Sequence, residues 1–413
     1  MKIKYNMLSA ALLIMLGGMA LTSCNSEGDG FDFNKNGLLI TGTEKGNVQK
    51  FTVEDTPSNY GITVQSTKKV EEDVNLTLAI DNSLVEKYNA ENGANYYPIP
   101  EGSVELENSN VVIAAGKAVS TSSMVKVVST ENFEEGRSYM IPVTIKSVSN
   151  GMDVINASRT IYLRISRVLS FHHLSYDAAG SSEYHFAENL QKTLTNYTIQ
   201  FKFYSNGFGG VGNIKRPLSV GGSKDGDNGD NMWRFGENGS AGGDILQWVN
   251  PSGKQFFSNT HFAANRWYLV TCTYDGSEFK MYIDNNSTPD NTVSASGKNT
   301  YLNRVEIGMS WGGYNNSQYF SGRLAEIRVW NKALSVSEIA TGLCGVDPKS
   351  DGLVAYWKMD QSEGTIILDK TGNGYDMDWN DTWRADYERD NIHHTDYGKY
   401  LHWVIDDNNK CAQ

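Results

Sequence analysis

Arg266-Trp267-Tyr268-Leu269-Val270-Thr271-Cys272-Thr273-Tyr274-Asp275-Gly276, followed by Lys280-Met281-Tyr282-Ile283-Asp284, is the stretch that decides the fold. The runs Trp267 to Tyr274 and Phe279 to Ile283 are rich in β-branched and aromatic residues, and the Asp275-Gly276 pair between them is a strong hairpin signal. Upstream, Ile199, Phe201 and Phe203 alternate with Gln200 and Lys202, the period of a strand that buries one face. Downstream, Phe320 to Ser335 reads as a strand running into a short helix, where Ser335 and Glu338 have capping-box spacing. Residues 169–343 are therefore expected to form one long β-sandwich.

Composition agrees with this reading. The chain has 413 residues, enough for two or three domains, with 39% hydrophobic, 20% charged and 11% aromatic residues. Forty glycines against eight prolines, with 22 tyrosines, favour short strands joined by glycine-bearing turns. The formal charge of -12, with no cluster of Lys and Arg, argues against a nucleic-acid partner.

Residues 37–168 alternate short strands with turns. Val74, Leu76, Leu78 and Ile80 alternate with Asn75, Thr77 and Ala79, and Ile161, Leu163 and Ile165 alternate with Tyr162 and Arg164. Ser83 to Asn92 interrupts the rhythm and reads as a single short helix. Leu84 to Asn89, Tyr97-Pro98-Ile99-Pro100, Val112 to Gly116 and Tyr139-Met140-Ile141-Pro142-Val143 together resemble an immunoglobulin-like domain of unknown function. That family heads many Bacteroidetes surface lipoproteins encoded beside glycan-degrading machinery. The segment contains no histidine and only scattered polar groups, so it is expected to act as a spacer.

The hairpin at residues 266–284 and the run Phe320 to Ser335 resemble laminin-G and concanavalin A-like domains. The fold class is thus expected to be all-β: an immunoglobulin-like β-sandwich, then a concanavalin A/laminin-G-like β-sandwich with a small appended C-terminal segment, residues 344–413. Within that tail, Gly352 to Asp360 and Asp369 to Gly374 resemble the opening of a laminin-G domain, although here they follow its closing motif. Trp267, Trp330 and Leu334 are expected in the core.

Ahead of the folded segments, Lys2 and Lys4 precede an apolar run from Met7 to Leu21, the pattern of a signal peptide over residues 1–23. Leu21-Thr22-Ser23-Cys24 resembles a bacterial lipobox, which implies lipidation of Cys24 and a lipidated tether over residues 24–36. Glu27, Asp29 and Asp32 in that tether resemble the acidic signal that exports Bacteroidetes lipoproteins to the outer face of the outer membrane. Of the remaining cysteines, Cys272 sits in an apolar strand pattern, while Cys344 and Cys411 either pair and tie down the C-terminus or stay as thiols.

Concanavalin A-like glycosidases carry two carboxylates on one strand, spaced Glu-x-Asp-x-x-Glu, and retention of configuration requires them about 5 Å apart. Glu-x-Asp occurs at Glu27/Asp29, Glu71/Asp73 and Glu388/Asp390, never followed by Glu three positions on. Glu326, flanked by Arg323 and Arg328, reads as an ion-paired surface residue. The adjacent pairs His172-His173 and His393-His394 lack the i, i+4 spacing of a helical zinc site. Asp225, Asp227 and Asp230, with Asn228 and Asn231, give the loop 223–231 the oxygen-rich composition that calcium prefers.

Sugar binding needs flat aromatic faces beside amides, carboxylates or guanidinium groups. Trp233 with Arg234, Trp248 with Asn250, and Trp311 with Tyr314 and Asn315 stand in glycine-rich, polar surroundings and are the expected glycan contacts, with Trp379 and Trp383 as similar positions in the tail. The functional expectation is a non-catalytic, glycan-binding cell-surface lipoprotein. Its partners would be a glycan or glycoprotein and neighbouring glycan-uptake proteins. A glycoside hydrolase or lyase, and a protein-binding adhesin, are the alternatives.

Overall fold

The computed structural model describes residues 36–53, 56–134, 136–176, 181–222, 231–308, 318–380, 382–383, 393–394 and 400–412. It is almost entirely β. In the first domain, strands Val48–Thr52, Thr160–Ser166, Tyr139–Val148, Val74–Ile80 and Asn110–Ile113 lie side by side in that order, and Ser58–Ile62, Ser123–Val127 and Val104–Glu107 form the opposing sheet. The alternation in the sequence has its expected effect: Val74, Leu76 and Leu78 are buried in the core between the sheets with Ile161, Leu163 and Ile165. The helix spans Leu84–Asn92 and packs Val85 against Met140 and Tyr162 on the outer side of the larger sheet. Ser83 occupies its N-cap position, but the hydroxyl donates to Asp81 (2.5 Å) instead of capping.

The second domain is a sandwich of two larger sheets. One, of eight strands, runs Asn291–Ser294, Glu278–Ile283, Trp267–Tyr274, Tyr197–Ser205, Gly322–Trp330, His173–Tyr176 and Leu401–Val404, with Leu353–Trp357 also paired to Gly322–Trp330. The other, of seven strands, runs Ser182–His185, Thr300–Ile307, Lys215–Gly222, Asn231–Phe235, Ile245–Val249 and Phe257–His261, with Lys192–Leu194 beside Thr300–Ile307. Phe201, Phe203, Val270, Cys272 and Phe279 from the first sheet meet Trp233, Phe235 and Trp248 from the second. The 267–283 hairpin forms where the sequence places it. Its turn is held by the Asp275 carboxylate, which accepts from the backbone N–H groups of Ser277 (3.0 Å) and Glu278 (2.8 Å), while Gly276 takes a positive φ of 93°.

The segment 344–413 is appended in sequence and woven in in space. Leu353–Trp357 and Leu401–Val404 enter the eight-stranded sheet, Lys410–Ala412 pairs with Val168–Ser170, and Cys344 is bonded to Cys411. Strands Leu353–Trp357 and His173–Tyr176 share one edge of Gly322–Trp330, taking its second and first halves respectively. This pairing accounts for the unusual motif order, because an opening-type strand can lie beside the closing strand from either end of the chain. The capping box also forms: Ser335 Oγ accepts from Glu338 N while the Glu338 carboxylate accepts from Ser335 N.

Between the shared halves sits Glu326, in a left-handed conformation (φ 56°) at a register shift of the sheet. The bulge corrects the expectation of a surface residue: Glu326 is buried, ion-paired with Arg328, and accepts from the Tyr356 hydroxyl at 2.6 Å. Burial alone would raise its carboxyl, but the charges of Arg328 and Lys202 hold it below the usual range.

The two domains meet closely. Arg137 pairs with Asp347 (2.7 Å), the Tyr97 hydroxyl donates to the same carboxylate (3.1 Å), and Ser138 Oγ donates to the Thr341 carbonyl (3.1 Å). Gly136 is needed there, since a Cβ would stand 2.1 Å from the Val346 carbonyl oxygen.

Candidate functional site

In the seven-stranded sheet, alternation sends Tyr184, Val305, Ile307, Leu218, Trp233, Phe235, Leu246 and Trp248 inward. Their neighbours then point outward, and these include a set of charged and amide residues beside the apolar Met232, Ile245 and Val249. Glu183 stands opposite Glu306, Glu306 opposite Ser219, and His185 opposite Arg304. Further along, Arg234 stands opposite Gln247. Directly opposed residues on one face have Cβ atoms about 4.5–5.5 Å apart, so Glu183, Glu306 and Ser219 stand in one row that continues into Met232 and Val249, while Arg234 and Gln247 form a separate pair.

Across this face the charges are interleaved. His185 Nε2 lies 2.8 Å from the Glu183 carboxylate, and Arg304 lies 3.9 Å from Glu183 and 3.4 Å from Glu306. Arg234 pairs with Glu237 (2.8 Å) and donates to Gln247 Oε1 (2.7 Å), whose amide donates onward to Gln255 (3.0 Å). Arg216 is buried near these groups: desolvation, with the nearby Arg234 charge, lowers its pKa to about 10 against the opposing pull of Glu306 and Glu237. Burial likewise lowers Arg234, with Glu237 opposing. A cavity of about 130 Å³ opens at this end, lined by Arg234, Gln247, Asn250, Lys254 and Gln255. Three guanidinium groups against three carboxylates leave the network near neutral, and most of it is buried: Glu183, Glu306, Arg304, Arg216 and Gln247 are 1–6% exposed. What a ligand could meet is its partly exposed ends, His185 on one side and Arg234, Glu237 and the small cavity on the other, which carry donors and acceptors at little net charge.

The structure redistributes the expected glycan contacts. Trp233 and Trp248 are corrected to core residues: both have 0% exposure, their rings stack with centroids 6.2 Å apart, and their N–H groups donate to Cys272 Sγ and Asn231 Oδ1. The reason is strand parity, because each sits at an inward position beside glycine-rich turns that belong to the strand ends. Arg234 is the one that reaches the outer face. Trp379 is buried too, packed on Trp403. Trp311, Tyr314 and Asn315, the calcium candidates Asp225, Asp227 and Asp230, and the lipidation candidate Cys24 lie outside the described residues. Among the described residues no cluster of three metal-ligating side chains occurs. His173 is fully buried, donor or acceptor to Asn409 (3.0 Å), and desolvation lowers its pKa to about 4.

Sequence reasoning missed Glu183, His185, Arg304 and Glu306. A one-strand motif search cannot see a pair that only sheet pairing brings together. The available signal was weaker: Ser182-Glu183-Tyr184-His185 and Arg304-Val305-Glu306-Ile307 each alternate a charged or titratable residue with one that packs inward.

A family model for the concanavalin A-like lectin/glucanase superfamily matches residues 179–340, which span this sheet and most of its partner. The second domain is a concanavalin A-like domain. A separate model, for an N-terminal domain, matches residues 33–152. Among solved structures, the chain is similar to a candidate carbohydrate-binding protein from Bacteroides ovatus at 20% identity, covering 82% of this chain and 94% of that one with a TM-score of 0.51. A heptameric pentraxin from Limulus polyphemus is a more distant likeness, at 15% identity over 58% of this chain and 91% of that one, with a TM-score of 0.32. No curated protein matches the chain. At 20% identity the likeness to the Bacteroides ovatus protein shows a shared fold alone, and the chemistry must be argued from the outer face itself.

Proposed function

We propose that the concanavalin A-like domain binds glycan without cleaving it, on the outer face of its seven-stranded sheet. Two clusters of acids, guanidinium groups and amides, Glu183/His185/Arg304/Glu306 and Arg234/Glu237/Gln247/Gln255, carry this reading. Their partly exposed members, His185, Arg234 and Glu237, with the cavity beside Lys254 and Gln255, offer hydrogen-bonding groups at little net charge, as sugar hydroxyls require. The fold-level likeness to the candidate carbohydrate-binding protein of Bacteroides ovatus supports the same conclusion by analogy.

Arg304 is the reason binding is preferred to hydrolysis. Its guanidinium lies within 4 Å of both Glu183 and Glu306, so the two opposed carboxylates are engaged in a shared buried ion-pair network instead of standing free as a glycosidase's acid and nucleophile. The opposed Glu183/Glu306 pair nevertheless gives a hydrolase reading a specific basis. Incubation of the purified chain with a glycan panel separates the two. Retention on glycan that is weakened at least tenfold by Arg234→Ala, with no sugar released, supports binding. Release of reducing sugar that disappears in Glu183→Gln or Glu306→Gln would replace it with hydrolysis.

We also propose that the chain is an outer-membrane lipoprotein anchored through Cys24, with the first domain as spacer, and that it holds glycan for neighbouring uptake proteins. The lipobox-like Leu21-Thr22-Ser23-Cys24 supports the anchor, and a lipid-mass adduct lost in Cys24→Ala tests it. Calcium at Asp225, Asp227 and Asp230 is proposed from composition alone; glycan retention unchanged by chelator would remove it from the mechanism.

A further inference from the structure

The opposite face of the same domain holds a second site. On strand Tyr197–Ser205, Phe201 and Phe203 point into the core, so Lys202 points outward from the eight-stranded sheet. It does not reach solvent. The residue is only 4% exposed, roofed by the paired segments Val168–Ser170 and Lys410–Ala412 and by the Cys344–Cys411 disulfide. Its ammonium lies 4.5 Å from the Phe171 ring centre and 3.4 Å from Cys411 Sγ, and no carboxylate lies within ion-pair distance of it among the described residues. A buried ammonium facing a ring and a sulfur is poorly compensated.

Beside it opens a cavity of about 260 Å³, lined by Phe171, Lys202, Trp267, Tyr268, Asp284 and Lys410 among others. The half-buried Trp267 ring is fixed by edge contacts to Phe171 (5.1 Å) and His173 (5.4 Å) and by its N–H bond to Asn409 (3.2 Å). The Asp284 carboxylate is anchored by the Leu269 N–H (2.9 Å), which leaves its second oxygen turned toward Arg266 at the surface. The cavity thus combines a preset aromatic wall, an ammonium with no carboxylate in ion-pair contact among the described residues, a second cation in Lys410, and the Asp284 carboxylate, which is itself paired with Arg266.

We infer that this cavity is a binding site for a carboxylate-bearing pyranose, a uronic acid unit, with the carboxylate on Lys202 and the ring against Trp267. The inference is independent of the seven-stranded face, since no residue is shared between the two sites. Burial, partly offset by the charges of Glu326 and Asp284 and reinforced by Arg328, lowers the Lys202 pKa to about 8, so the ammonium is still the main form at neutral pH. An anionic group would compensate it.

The test is titration of the full chain at pH 7 with methyl glucuronoside, methyl glucoside and acetate, followed by ligand-observed NMR and calorimetry. The expected result is at least tenfold tighter binding of the glucuronoside than of either control. Lys202→Met should abolish that preference while melting no earlier than the wild type, and Trp267→Ala should weaken the glucuronoside at least fivefold. Arg234→Ala, on the other face, should leave it unchanged, which separates failure here from failure of the binding reading above. Equal binding of glucoside, acetate as effective as glucuronoside, no binding at all, or a preference that survives Lys202→Met would each overturn the site.

Discussion

The two outward faces of the concanavalin A-like domain handle buried charge in opposite ways. On the seven-stranded face, Glu183, Arg304, Glu306, Arg234 and Glu237 compensate one another at close range. On the eight-stranded face, Glu326 and Arg328 form one tight pair, while Lys202, two positions from Gln200 on the adjoining strand, is left against a ring and a disulfide. Mutual pairing makes a stable, largely buried network that opens to a ligand only at its partly exposed His185 and Arg234 ends. Lys202, with the charges of Glu326 and Asp284 offsetting its burial only in part, destabilises the fold, and an anion arriving beside it relieves that cost. The difference suggests a face that recognises hydroxyls and a pocket that recognises an acid.

The largest expected effect concerns what lies between the faces. Trp233→Ala removes a fully buried ring from the shared core and should destabilise the domain by about 3–5 kcal/mol in denaturant unfolding. A variant that melts with the wild type yet loses glycan would return Trp233 to the binding surface.

Lys202→Met comes next and should act with the opposite sign. The ordinary pKa of 10.5 falls to about 8 in the fold, so the unfolded chain binds more protons between those values and stability rises as pH climbs from about 8 to 10.5. The methionine variant should therefore be more stable than wild type by about 3 kcal/mol at pH 7, with the advantage vanishing by about pH 10.5. A destabilised variant would mean the ammonium is compensated after all, and the contrast between the faces would be lost.

His173 gives a smaller, acid-side effect. Its pKa falls from 6.5 to about 4 on burial, so the stability it contributes is complete above 6.5 and is lost as pH drops toward 4. Melts between pH 7 and pH 5 should show a loss of about 2 kcal/mol that His173→Asn removes. A pH-independent melt over that range would show that the imidazole is not held neutral. The smallest stability effect belongs to Arg234→Ala, expected within about 1 kcal/mol of wild type because the group is partly exposed, with glycan retention as the property that moves.

Much of the architecture can be read from alternation. Val74 to Leu78, Ile161 to Ile165 and Ile199 to Phe203 bury the face that their spacing predicts, and the Ser335/Glu338 capping box forms as written. The candidate site is less legible. Glycine-rich flanks made Trp233 and Trp248 look like loop residues, although Trp233 and Phe235 already carry the two-residue period of an inward-facing strand.

By itself, the sequence determined the strand periods, the two sandwiches, the hairpin at Asp275 and the helix at Leu84–Asn92, because each of these depends on neighbours a few positions apart. Only the tertiary structure decided that Glu183 would face Glu306, that Cys411 would cover Lys202, and that Leu353–Trp357 would share an edge with His173–Tyr176. The physical reason is range: a side chain's direction follows from local backbone geometry, whereas its opposite number is set by sheet register, which depends on the packing of the whole core.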